Sequence, residues 1–283
     1  MPRPAGAAAA RATRRSPSPA PRYPRAAAPP VLVEVRRGAI VESRHRGHVV
    51  QVGPGGHIER AIGDPTVEVT LRSAVKPFAL AALVGAGAAD ELRLSPQELA
   101  VMAASHTGED RHVRTLQGVF RRAGVSQSLL RCGAAMPIDR RTAARLARDG
   151  EEPGAIRHQC SGFHAASILL SRVADWSLED YDRPEHPSQM AVRTAVASAF
   201  GVPVGRLRTA TDDCGLQTYL FPLVDVARAF ALLADPAGSQ AGDGRAALAP
   251  ALTRVRDAML AAPDMVGGTD GVLDTLLMQT LAG

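Results

Sequence analysis

Apolar positions first alternate with polar ones and then recur every three or four residues. Val31-Leu-Val-Glu-Val35 alternates, and Gly38-Ala-Ile-Val-Glu42 and His48-Val-Val-Gln-Val52 follow at short spacing. Gly53-Pro-Gly-Gly56 is a turn cluster, and Thr66-Val-Glu-Val-Thr70 alternates again. Four short strand-like runs with tight connections predict an antiparallel sheet built early in the chain. After Ser73 the spacing becomes helical. Helices are expected over Phe78 to Ala89, Asp110 to Ala123, Arg140 to Arg148, Gly162 to Val173, Pro187 to Phe200, Pro222 to Leu233, Ala247 to Ala261 and Val272 to Leu281. Ser95-Pro-Gln-Glu98 carries an N-cap, a first-turn proline and a capping-box acid, so a further helix should open there and run through Ala103. Asp235 to Arg245 is expected to be a loop. A strand-rich segment followed by a helical run predicts an α+β fold with an antiparallel sheet. No strand is expected after Thr70, so the sheet is expected to be incomplete.

Composition adds one correction. The chain has 283 residues, 46% hydrophobic and 22% charged, which is ordinary for a soluble globular protein and long enough for a sizeable core. No apolar run reaches the 18 residues of a membrane span, so no membrane partner is expected. The net charge of +5 resolves into +6 from six arginines in residues 1–30, which hold no acid, and −1 from everything after them. That Ala/Pro/Arg-rich stretch cannot bury enough surface to order itself, and it is expected to be a disordered extension preceding a domain over 31–283. The basic balance therefore belongs to the extension. With only 4% aromatic residues, no nucleic-acid partner is expected either. Three cysteines, Cys132, Cys160 and Cys214, in a chain with no export signal point to reduced thiols and a cytoplasmic location.

Candidate chemistry centres on one residue. Of 33 basic residues, 32 are arginine and one is lysine, Lys76. An arginine keeps its proton, whereas a desolvated lysine can lose it and act as a base. Lys76 lies three residues after Ser73 in Arg72-Ser-Ala-Val-Lys-Pro77, where strand-like sequence gives way to helix. If Ser73 sits at a helix start, the amine lies beside the hydroxyl and can take its proton. Ser-x-x-Lys is also the nucleophile spacing of penicillin-recognising serine enzymes, though the four-residue pattern alone is weak. The bland alternative is a surface lysine behind a capping serine.

Three further polar knots stand out: Ala104-Ser-His-Thr-Gly-Glu-Asp-Arg-His112, His158-Gln-Cys-Ser-Gly-Phe-His164 and Thr211-Asp-Asp-Cys-Gly215. Turn and capping chemistry accounts for Thr107 to Asp110, and less well for Ser105 and His106. Cys160 and Cys214 offer two thiolates to a metal, although they are not a CxxC pair. Their alternative role is that of small buried apolar residues.

Together these segments resemble the L-asparaginase II family of the rhizobial type. The resemblance runs from Val31-Leu-Val-Glu-Val-Arg-Arg-Gly-Ala-Ile-Val-Glu-Ser43 through Arg72-Ser-Ala-Val-Lys-Pro77, Ala104-Ser-His-Thr-Gly-Glu109, Cys160-Ser-Gly162 with His164, His186-Pro187 and Asp212-Asp-Cys-Gly215. It ends in Met259 to Pro263, Gly267-Gly268 and Asp274 to Met278. It implies a serine β-lactamase/glutaminase-like fold and an amidohydrolase that converts L-asparagine to L-aspartate and ammonia. By motif match, Ser73 would be the nucleophile, Lys76 its base and Ser105 a second serine of a paired system. Arg72, His106, His164 and Asp212 would lie near a small-molecule amide substrate. Cys160 and Cys214 would match the thiolates of a zinc site, and a homodimer is among the expectations.

The chain departs from the family pattern in three ways. Phe163 stands where the family has a zinc-binding lysine, and Asp213 stands where it has a glycine. The family's later Lys-x-Gly-Ala segment lies past Gly283, so a missing C-terminal portion is expected. The alternative to an active amidohydrolase is thus an inactive or fragmentary homologue.

Overall fold

The computed structural model describes residues 28–238, 245–269 and 271–281. The expected extension lies outside them up to residue 27, as does the 239–244 part of the loop expected over Asp235 to Arg245. The chain divides into a unit ending at Arg46 and a larger one, Gly47–Gly283.

The first unit is an antiparallel hairpin of β1 (Val31–Arg37) and β2 (Ile40–Arg46). Arg37 faces Ile40 across the turn, where Gly38 takes a φ of 58°, a left-handed conformation that costs glycine nothing. Glu34 accepts from Arg36 and, across the pair, from Arg44.

The larger unit opens with a second antiparallel hairpin, β3 (Val49–Val52) and β4 (Ile58–Ile62), joined through the glycine cluster. A three-stranded antiparallel sheet follows, with β5 (Glu68–Thr70) and β6 (Arg208–Thr211) flanking β7 (Gln217–Pro222). The α+β class holds. The expectation of strands confined to the first seventy residues does not, because β5 pairs with a strand some 150 residues later. Nor do the early strands share one sheet: they belong to three.

Eleven helices are present among the described residues: α1 (Lys76–Gly85), α2 (Ala88–Glu91), α3 (Pro96–Met102), α4 (Asp110–Ala123), α5 (Arg140–Asp149), α6 (Ser161–Val173), α7 (Pro187–Phe200), α8 (Leu223–Ala234), α9 (Ala249–Ala261), α10 (Pro263–Val266) and α11 (Leu273–Leu281). The first of these, Lys-Pro-Phe-Ala-Leu-Ala-Ala-Leu-Val-Gly, is apolar almost all round, and such a helix must be buried on every side. It is: α1 packs against α6, α7 and α9, while α3 packs against α6 and α9. Phe78 meets Phe200 and Phe230 edge-on at 5.3 Å each, and Phe200 stacks on Phe221 of β7, tying the helices to the sheet. Truncating a fully buried phenyl such as Phe78 to alanine costs about 3–5 kcal/mol.

One close approach fixes the geometry used below. Where α6 begins, Gly162 lies so near the end of α3 that an added Cβ would stand 2.1 Å from the carbonyl oxygen of Val101. Only glycine fits there.

Candidate active site

Sheet pairing positions the first site residue. Leu71 donates its N–H to Tyr219 O and continues the β5–β7 ladder. The next residue, Arg72, breaks it with a φ of 47°, an uncommon conformation for a residue with a Cβ. Its backbone N–H donates to Thr218 Oγ1 on β7, and that bond holds the turn. A single 3-10 turn, Arg72–Val75, then runs directly into α1. Ser73 thus sits at the start of a helical stretch, one residue after a strained one. Strain of this kind, worth about 1–3 kcal/mol, persists only where the surroundings enforce it.

Lys76, one helical turn on, points into the protein and is 2% exposed. Its Nζ bonds Ser105 Oγ at 2.6 Å, Ala104 O at 3.1 Å and Cys160 Sγ at 3.3 Å. Ser105 Oγ in turn lies 2.6 Å from Ser73 Oγ. The lysine therefore reaches Ser73 through Ser105, where the spacing alone suggested a direct contact. Ser105 is delivered by the segment leaving the end of α3, and Cys160 by the N-terminus of α6. Burial lowers the Lys76 pKa, and the neighbouring Cys160 sulfur opposes that shift.

Cys214 lies in the turn between β6 and β7, which Gly215 closes by donating its N–H to Asp212 O. Its thiol, beside Cys160, favours the thiolate at Cys160, and Cys160 pushes the Cys214 thiol up. Cys132 is buried apart from this pair, donates to Ala155 O, and is pushed up to about 12 by desolvation.

These sulfurs can be tested against zinc. A closed protein site needs four donors and a catalytic one three. Phe163 supplies none: it packs among Ala79, Leu83, Leu170 and Val192, with Lys76 Nζ 5.8 Å from its ring centre. Among the described residues no cluster of three or more His, Cys, Asp or Glu side chains surrounds a common point. The donor set does not fit zinc, and no step below passes through a metal.

The histidines are committed internally. His106 Nδ1 accepts from the Gly108 N–H, which leaves Nε2–H to donate to Ser161 Oγ. It stacks on His112, whose Nδ1 accepts from Glu109 N–H and whose Nε2–H donates to Asp264 O. His164 Nδ1 bonds Tyr181 Oη at 2.7 Å, while its buried Nε2 has no hydrogen-bond partner. Burial holds His106 well below the ordinary imidazole range, lowers His112, and pushes His164 down to about 3. Arg72 pairs with Asp212 at 3.0 Å and with Asp213, and the Asp213 contact is the main reason its pKa is raised. The bulk that Asp213 adds is therefore used in an ion pair.

Ser73 and Ser105 open onto a cavity of about 320 Å³ lined also by Ala74, Pro77, Ala103, Ala104, Phe230, Met259, Val266 and Asp274. Arg72, His106, His164 and Asp212 are not among its walls. Phe230 gave no signal in the sequence, since a lone aromatic on an apolar helix marks only a core position. Asp274 and Met259 lay within recognised segments but carried no assigned role.

A profile of the L-asparaginase II family matches residues 33–283, and the chain belongs to that family. It is accordingly an asparaginase-type hydrolase. No individual curated protein matches the chain.

Proposed function

We propose that the chain hydrolyses the side-chain amide of L-asparagine with Ser73 as nucleophile and Lys76 as base, the proton travelling through Ser105. The observation that carries this reading is the unbroken chain Ser73 Oγ–Ser105 Oγ–Lys76 Nζ, 2.6 Å at each link, opening onto a cavity.

As an ammonium, Lys76 has three donors for its three partners. As a neutral amine it keeps its bonds to Ala104 O and Cys160 Sγ and turns its lone pair to the Ser105 hydroxyl. Burial favours this neutral form. Ser105 then passes its proton to Lys76 while taking the proton of Ser73, and Ser73 Oγ attacks the amide carbon. The Ser73 backbone N–H, in the first helical turn with no helical acceptor, is free to donate to the negative charge developing on the carbonyl oxygen. As the tetrahedral intermediate collapses, the C–N bond breaks and the proton held on Lys76 returns through Ser105 to the leaving nitrogen, releasing ammonia. Water hydrolyses the Ser73 ester by the same path in reverse, giving aspartate and free Ser73. The sum is one water consumed for one amide split.

Ammonia release from L-asparagine, with Ser73→Ala assayed alongside, tests this. Turnover in the parent and none in the variant is expected. A folded parent without turnover would favour the inactive-homologue reading, and a Ser73→Ala variant that retains turnover would remove Ser73 as nucleophile.

A further inference from the structure

The cavity has one formal charge. Seven of its ten wall residues are apolar, two are the serines, and the tenth is Asp274. The substrate implied by the proposed function carries an ammonium close to the amide that must reach Ser73. Moving an ammonium from water into an apolar-walled cavity costs several kcal/mol unless a counter-charge meets it. Asp212, another carboxylate of the site segments, is paired with Arg72, and neither residue lines the cavity. Asp274 is exposed and has no ion pair among the described residues, so its carboxylate is available.

Its position is also fixed. Asp274 lies in the first turn of α11, and the next residue, Thr275, is 2% exposed. Thr275 Oγ1 donates to Gly268 O at 2.7 Å and lies 3.2 Å from Pro263 O. The start of α11 is thereby pinned to the segment that supplies Val266 to the same cavity. A carboxylate on a pinned helix end is preorganised for a cation in a way a loop residue is not.

We infer that Asp274 binds the α-ammonium of the amino-acid substrate and so selects α-amino amides over amides that lack the amino group. This inference rests on the Ser73 reading of the cavity.

The test compares L-asparagine with succinamate, the same carbon chain without the α-amino group, in the parent and in Asp274→Asn. KM for L-asparagine should rise about ten- to a hundredfold, the loss of one charge-assisted contact, with little change in kcat. Succinamate kinetics should not change. Asp274→Glu, which keeps the charge, should recover part of the loss. Equal losses on both substrates would assign Asp274 a structural role, and no loss on either would remove it from the site. Binding of both compounds by calorimetry, in Ser73→Ala with and without Asp274→Asn, separates the two claims. A selective loss of asparagine binding beside a parent chain that never turns over would keep the Asp274 assignment and overturn the Ser73 chemistry. Unchanged asparagine binding would overturn the Asp274 assignment whatever the turnover.

Discussion

The choice of lysine at position 76 decides what the buried chain of hydroxyls can do. An arginine there would keep its proton at any working pH and could not accept one from Ser105. Lys76→Arg is therefore expected to lower kcat for ammonia release by about a thousandfold or more, the scale of a lost general base. Near-parent turnover in a folded Lys76→Arg chain would show that the amine is not the base. The pH profile carries a second prediction. The base works only when deprotonated, so the rate should rise with pH through the Lys76 pKa. Burial lowers that pKa and Cys160 opposes the shift. Cys160→Ala removes a group that favours the ammonium, so the acid limb of the profile should move to lower pH. A limb that stays in place or moves up would contradict the coupling. Since the donor set does not fit zinc, dialysis against EDTA should leave ammonia release unchanged, and a loss restored by added zinc would contradict that.

At the scale of elements, the site depends on how closely α6 approaches α3. These two helices deliver Cys160 and Ser105 to Lys76, and Gly162 is the contact point between them. Gly162→Ala drives a methyl into the Val101 carbonyl, and it is expected to cost at least about 2 kcal/mol in a denaturation curve and to lower activity as well. Unchanged stability would mean that the helices separate without consequence. The capping box of α3 is worth less. Ser95 accepts from Glu98 N–H while the Glu98 carboxylate accepts from Ser95 N–H, and Ser95→Ala should cost about 1 kcal/mol.

That capping box was legible in the sequence because its signals are local, and so were the bounds of α4 and α7 and the run of short early strands. The later strands were not. β7 begins Gln-Thr-Tyr and ends in proline, with no alternation to mark it, and it is a strand because β5 and β6 pair with it. β4 was missed because only the ends of Ile58-Glu-Arg-Ala-Ile62 carry large β-branched side chains. The site divides in the same way. A single lysine at Ser-x-x-Lys spacing pointed to Ser73 and Lys76. That Ser105 stands between them, and that Phe230 and Asp274 wall the cavity, follows from packing that no local spacing encodes.

Across the larger unit, three buried histidines tie stability to pH. His106, His112 and His164 are all held below the ordinary imidazole range by burial. When the chain unfolds each takes up a proton near pH 6.5, so below that pH the unfolded state binds more protons than the folded one. The stability they lend is complete above about pH 6.5 and declines as pH falls toward their folded values, by up to about 1.4 kcal/mol per pH unit for each histidine. Denaturant midpoints at pH 7.5 and pH 5 should show this loss. Equal or greater stability at pH 5 would mean that the histidines are solvated or ion-paired. The same unit holds the whole Ser73–Ser105–Lys76 chain, and its middle link separates a relay from a simple serine–lysine pair. The most direct measurement is the rate of ammonia release from L-asparagine by Ser105→Ala against the parent. A relay through Ser105 predicts a fall of about a hundred- to ten-thousandfold in kcat. A Ser105→Ala chain that turns over at the parent rate would contradict it and return the proton transfer to a direct contact between Ser73 and Lys76.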